Sequence, residues 1–194
     1  TFDPDQWPAA LLSPGDSVRF HAQPHETRAD PGLPRPGVQL TSAARSIMVI
    51  DPGLFTTVQD SGRWGHQASG VPVSGAMDWV AHRTANALVG NEPSAGALEA
   101  TVAGPKIRFD QRTTVAVAGA DFGAMLDGAR LAVCAPVSCP AGAVLRFGKR
   151  TAGARAYIAV DGGIDGPRVL AGRSTHVLGR MGGVGGRRLL QGDP

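Results

Sequence analysis

The chain has 194 residues, 42% hydrophobic and 18% charged, which fits one main domain with some additional chain. No apolar run approaches the roughly 20 residues of a membrane span, so the sequence predicts no membrane association. The net charge of +3 comes from scattered residues, with lysine only at Lys106 and Lys149, and no basic run interleaved with aromatics; this argues against a nucleic-acid partner.

Thr1 to Gln6 carry neither a basic start nor an apolar stretch, so no secretory signal is visible, and a start at Thr1 reads as a piece of a longer chain. A turn at Pro14-Gly15-Asp16 precedes alternating Val18 and Phe20, a short strand with one apolar face. The phrase Gly-x-x-aliphatic-Arg-Phe of Gly15 to Phe20 returns at Gly142 to Phe147, which hints at two related β pieces. Between Ala22 and Ser46 lie four prolines with almost no apolar periodicity, the composition of an extended linker. The expected divisions are therefore residues 1–23, a linker over 24–45, and a main domain over 46–194.

From Asp51 to Asp78 five glycines interrupt a stretch otherwise able to form strands, around Gln59, Asp60, Arg63, Ser74 and Asp78. Tight turns and close backbone approach on that scale point to a site. Gln59, Asp60 and Arg63 are read as a turn between strands, where an arginine and a carboxylate either clamp a substrate or bridge each other. Helical spacing over Ala76 to Asn91, with Met77, Val80, Ala81, Thr84, Leu88 and Val89 as the apolar set, predicts one main helix near 76–90, with Gly90 as its stop. Ser74 and Gly75 then lie near its amino end. Ser74 capping and Asp78 supporting the first turn is the structural reading; amides and dipole receiving an anion is the functional one.

A brief strand is expected at Ile47–Ile50, before the glycine-rich stretch, and beyond the helix short strands are expected at Ala97–Val102, Lys106–Phe109, Thr114–Ala118, Ala124–Leu126, Val144–Phe147 and Ala156–Val160. Many short strands with one helix mean a mainly β fold, a barrel or sandwich. Cys134 and Cys139, with four residues between them, lack companions at zinc-ligand spacing and form no disulfide framework, which fits a cytoplasmic protein. The five histidines are dispersed, so no metal is assigned. Gly179 to Gly186 lacks the Lys-Ser/Thr ending of a phosphate loop, and Gly70 to Gly75 has the wrong spacing for a nucleophile elbow.

The segment PGLFTTVQDSGRWGHQASGVPVSGAMD resembles the opening signature of the C-type subunits of 5-oxoprolinase, a family also known as allophanate hydrolase subunit 2 or the biotin-dependent carboxyltransferase domains of urea amidolyase. Gly162-Gly163-Ile164 with Arg173-Ser174-Thr175 resembles the family phrase GGI…GSRST, with Ala171-Gly172 replacing its Gly-Ser. Gly182-Gly183, Gly186-Arg187 and Leu189 to Asp193 resemble GGxxGRxLxxGD. Upstream, FDPDQWPAALLSPGDSVRF resembles the carboxyl end of the partner family, the B-type subunits of 5-oxoprolinase, or allophanate hydrolase subunit 1.

The resemblance implies a cyclophilin-like β-barrel and an internal fragment of a fusion between a B-type and a C-type subunit. It implies part of an ATP-dependent 5-oxoprolinase, with a B-type domain fused upstream, a separate A-type hydrolase subunit, and ATP engaged through the assembled enzyme. The alternatives are the carboxyltransferase region of a biotin-dependent urea carboxylase, and a non-catalytic regulator that binds a kinase inhibitor. Biotin is not attached here, since Asp78 follows Met77 where an attachment motif needs lysine. Arg63, Ser74 and Asp78 are the implied catalytic residues; Gln59, Asp60, Gly75, Arg173 and Ser174 are the implied substrate-binding residues.

Overall fold

A computed structural model describes residues 47–194, with Ser17 alone upstream of them. The 1–23 tail with its strand at Val18 to Phe20, and the linker over 24–45, lie outside the described residues. In chain order the strands are β1 (Ile47–Asp51), β2 (Phe55–Gln59), β3 (Ala97–Thr101), β4 (Lys106–Phe109), β5 (Thr113–Asp121), β6 (Met125–Leu126), β7 (Ala129–Arg130), β8 (Pro136–Cys139), β9 (Val144–Arg146) and β10 (Ala152–Val160). One α-helix, α1 (Trp79–Leu88), follows β2 after a short 3-10 turn at Gln67–Ser69.

The strands form two antiparallel five-stranded sheets, ordered β1-β4-β9-β6-β7 and β2-β3-β10-β5-β8. The mainly β expectation with one helix therefore holds, but among the described residues the sheets do not close into a continuous barrel. Alternation assigns the faces. Val115 and Val117 of β5, Ile158 of β10 and Leu98 of β3 turn inward to meet Val49, Ile107, Phe109 and Leu145 of the other sheet. Their neighbours Ala116, Ala118, Tyr157, Ala159 and Ala97 turn outward and are covered by Ala81, Ala85 and Val89 of α1. The central strands β3, β5 and β10 are thus covered on both faces over much of their length, which is why they read as nearly unbroken apolar runs.

The helix is shorter than 76–90, and its buried face matches the expected one only in part: Ala81 and Val89 of the expected set are buried. Ala81, His82, Ala85 and Asn86 face the sheet, whereas Met77 and Val80 are exposed. Alanines on both sides let helix and sheet approach closely, so the larger apolar residues are displaced outward. Strands β2, β7 and β8 lie outside the expected set. β7 is two residues long, and β8 is an edge strand opened by Pro136, where a missing N–H is tolerated.

Strand β2 is the other edge of the same sheet, and a loop covers it. Thr175 N donates to Val58 O at 2.9 Å and Leu189 N to Thr56 O at 2.8 Å, so the segment from Arg173 to Leu189 seals β2 instead of leaving a pairing edge.

Candidate functional site

Strand β2 ends at Gln59, which pairs with Ala97, so Gln59 belongs to the strand and not to the turn after it. The following loop is pinched at its neck: Arg63 N donates to Val73 O at 2.8 Å and Ala76 N to Asp60 O at 3.0 Å. This brings Asp60, Gly62 and Arg63 beside Ser74 and Gly75.

The segment at Arg173 and Ser174 arrives from the far end of the chain. Ser174 Oγ donates to Asp60 Oδ1 and accepts from Asp60 N at 3.0 Å, while Arg173 N donates to Asp60 Oδ2 at 2.5 Å and Gly62 N to Asp60 Oδ1 at 2.8 Å. Burial alone would raise the Asp60 carboxyl, but the hydrogen bonds from Ser174, Arg173 and Gly62 outweigh it and hold the group below its ordinary range.

Arg63 is fully buried. Its Nη1 donates to Ser74 Oγ at 3.0 Å, its Nη2 to the Ser174 carbonyl, and its Nε to Val169 O at 3.4 Å. Between a substrate clamp and a direct bridge, the geometry gives a third arrangement: Asp60 and Arg63 each stitch the 60–76 loop to the 169–182 segment. Desolvation lowers the Arg63 pKa, and the charge of Asp60 opposes that fall. Ser74 sits at φ 56, a left-handed conformation unusual for a residue with a side chain, and Gly75 follows at φ 91. The Arg63 bond holds that strained turn.

Ser74 does not cap the helix. Asp78 does, accepting Ala81 N on Oδ1 at 3.0 Å. Asp78 thus stands apart from the Asp60 lock and belongs to a second cluster. Its N–H donates to Tyr157 Oη at 2.7 Å, Tyr157 Oη donates to Glu99 Oε2 at 2.6 Å, and Met77 N donates to the same oxygen at 2.8 Å. Burial, then the bond to Glu99, push the Tyr157 phenol far up, so it stays protonated. Gln59 reaches Thr57 Oγ1 and Thr175 O, with its Oε1 buried and unpartnered among the described residues. Arg173, half-buried, holds Asp165 through Nε at 3.0 Å.

Glu99, Tyr157, Arg155 and His82 are not among the residues expected from sequence. A signal exists for two of them: Glu99 interrupts an alanine-leucine strand, and Tyr157, the single tyrosine, interrupts another. A polar group inside a run buried on both faces must find a partner.

The helix, the Glu99–Tyr157 cluster and the Arg173–Ser174 segment fall within a match to the family model described as carboxyltransferase domain, subdomain A and B, over residues 69–194. The chain belongs to this family. It is 45% identical over 146 residues to the urea amidolyase of Lachancea kluyveri, covering 75% of this chain and 8% of that protein. It is 40% identical over 147 residues to the C-type subunit of 5-oxoprolinase from Escherichia coli K12, covering 76% of this chain and 47% of that one. The crystal structure of the K. lactis urea amidolyase superposes with a TM-score of 0.74 at 44% identity, over 76% of this chain and 9% of that one. The chain therefore spans less than half of each of these relatives.

Among the described residues, no three His, Cys, Asp or Glu side chains form a group that could hold a metal ion, and no helix is long and apolar enough to cross a membrane. The glycine-rich segment after Gly179 packs closely against β2 at Gly183. A side chain on Gly183 would meet Thr175 Oγ1 at 2.0 Å, so this glycine serves close packing onto β2.

Proposed function

We propose that this chain is the first part of a carboxyltransferase-type domain within an ATP-dependent enzyme that opens 5-oxoproline, in the arrangement of a B-type domain fused upstream. The supporting observation is the match over 147 residues to a C-type subunit of 5-oxoprolinase, long enough to take in Asp60, Arg63, Ser74 and Asp78, together with the single folded unit in which Arg173 and Ser174 close on them. In this reading Asp60 and Arg63 act from below: they fix the Ser74–Asp78 segment, whose exposed end is presented to the substrate with Ser174 and Gln59 as supports. In this reading ATP is engaged through the assembled enzyme, and a separate A-type partner completes hydrolysis.

A second reading rests on the higher identity to urea amidolyases, 45% and 42% for two of them. There the same surface would serve carboxyl transfer to urea, with biotin carried elsewhere. Both reactions act on an amide-type carbonyl whose oxygen gains negative charge, and oriented donors favour that change. Cytoplasmic location and assembly with small-molecule substrates belong to either reading.

The full-length protein, supplied with its partner subunits, separates them. Hydrolysis of ATP dependent on 5-oxoproline supports the first; carboxylation of urea dependent on biotin supports the second; neither activity overturns both.

A further inference from the structure

A depression of about 490 Å³ opens on the outer face of the second sheet, lined by Asp78, Gly119, Ala120, Ala152, Gly153, Ala154 and Arg155. Its volume lies within the roughly 300–1,000 Å³ of small-molecule sites. The sheet itself creates it. Strands β5 and β10 pair at Ala152–Asp121 and again at Ala156–Gly119, so three residues of β10 oppose the single Ala120 of β5. This bulge parts the strands beside the amino end of α1. Gly119 is required there, because a side chain on it would lie 2.6 Å from Arg155 O at φ +89.

Two charged side chains border the depression, and both have unused capacity. Asp78 engages Oδ1 with Ala81 N, and its other oxygen has no partner among the described residues. Arg155 makes one hydrogen bond among them, from Nη1 to its neighbour Ala154 O at 3.4 Å; its Nε is buried, lacks a hydrogen bond and lies 3.5 Å from Glu99 Oε1. Glu99 is held from the other side by Tyr157 and Met77, so it anchors the guanidinium while leaving its fork edge open.

We propose that this depression binds a planar amide group, its N–H donating to Asp78 and its carbonyl oxygen accepting from Arg155. Charge decides the class of ligand. Asp78 and Glu99 together outweigh the single Arg155, which disfavours a bare anion, whereas a neutral group with a donor beside an acceptor satisfies both residues at once. An arginine on the carbonyl oxygen also stabilises charge developing there. A lactam such as 5-oxoproline and urea share this face; the carboxylate of 5-oxoproline must then lie at the open mouth. The choice of these two probes rests on the function proposed above, but the site does not.

The test is calorimetric titration of the intact protein, without nucleotide, with acetamide, 5-oxoproline and urea, and with proline, which keeps the ring and lacks the carbonyl. Asp78→Ser retains a capping oxygen, and Arg155→Met retains the apolar stem; circular dichroism verifies that each variant is folded. At least one amide should bind and proline should not, and each variant should weaken amide binding at least tenfold. Tightest binding by 5-oxoproline or by urea identifies the source. Amide affinity unchanged in both variants, or no amide bound by the parent protein, overturns the site. Acetamide binding lost in the variants while neither 5-oxoproline nor urea is turned over sustains the site and overturns the proposed function instead. As a check independent of mutation, amide binding should shift the backbone resonances of Gly119 and Gly153; shifts confined elsewhere would count against the site.

Discussion

Arg63 Nη1 and Ser74 Oγ, eleven positions apart in the chain, meet at 3.0 Å, and this bond holds Ser74 in a left-handed conformation. Removing the guanidinium frees the turn and strands the Ser174 and Val169 carbonyls. Arg63→Ala is therefore expected to lower folding stability by about 3–5 kcal/mol, as loss of one partner from a buried charged network does. Chemical denaturation measures it. A loss below about 1 kcal/mol would mean that the arginine is dispensable to the fold and leave a direct substrate role in place.

Ser74 and Asp78 should separate cleanly. Ser74→Ala removes an acceptor from a buried arginine and should destabilise by about 1–3 kcal/mol. Asp78→Ala removes the N-cap and should lower stability by about 1 kcal/mol, while Asp78→Asn should retain most of it. Thermal midpoints of the three variants check the order, and a Ser74→Ala effect smaller than that of Asp78→Asn would contradict the assignment of the cap.

Tyr157 receives Asp78 N and donates to Glu99, so Tyr157→Phe leaves a buried carboxylate short of one donor. The expected loss is about 1–3 kcal/mol. Hydrogen exchange at the Asp78 amide should accelerate; an unchanged rate would show that the helix entry is fixed by other contacts.

His82 is buried against Tyr157, with ring centroids 5.8 Å apart, and burial lowers its pKa from 6.5 despite opposing hydrogen bonds and charges. The unfolded chain then binds a proton more readily than the folded one. Stability should fall as pH drops below about 6.5 and level off below the folded pKa. His82→Gln should remove that slope below about pH 6.5, measured by denaturant titration; a slope equal to that of the parent would place the titrating group elsewhere.

How much of this is legible in the sequence depends on which separation carries the information. Lys106 to Phe109 alternates with period two, and its buried residues Ile107 and Phe109 follow directly from that pattern. The phrases around Asp60 and Ser174 stand out separately, and the structure joins them across 114 residues. That pairing follows from where the edge of β2 is sealed, which no local pattern encodes. The helix face is anticipated at Ala81 and Val89 but not at Ala85, which carries less apolar weight than Met77 and Val80, yet packing against Ala116 and Ala118 rewards small size. Arg155 is invisible in the sequence for a related reason: its importance comes from a bulge, set by the register of β10 against β5.

Asp60 gives the sharpest acid-range prediction. Its carboxylate accepts from Ser174, Arg173 and Gly62, and these bonds hold its folded pKa below the ordinary 3.8. The charged form therefore stabilises the fold above about pH 4, and that contribution disappears as pH falls through the folded value. Asp60→Asn preserves the shape but loses the charge, replacing charge-assisted bonds worth about 1.5–3 kcal/mol each with weaker ones. Parent and variant should thus differ by a constant amount from about pH 5 to 7 and converge as pH falls below the ordinary 3.8 and through the folded value. Denaturation midpoints across that range provide the measurement. A gap that persists undiminished at the acid end would show that the amide disrupts geometry, and that charge on Asp60 is not what joins the two loops.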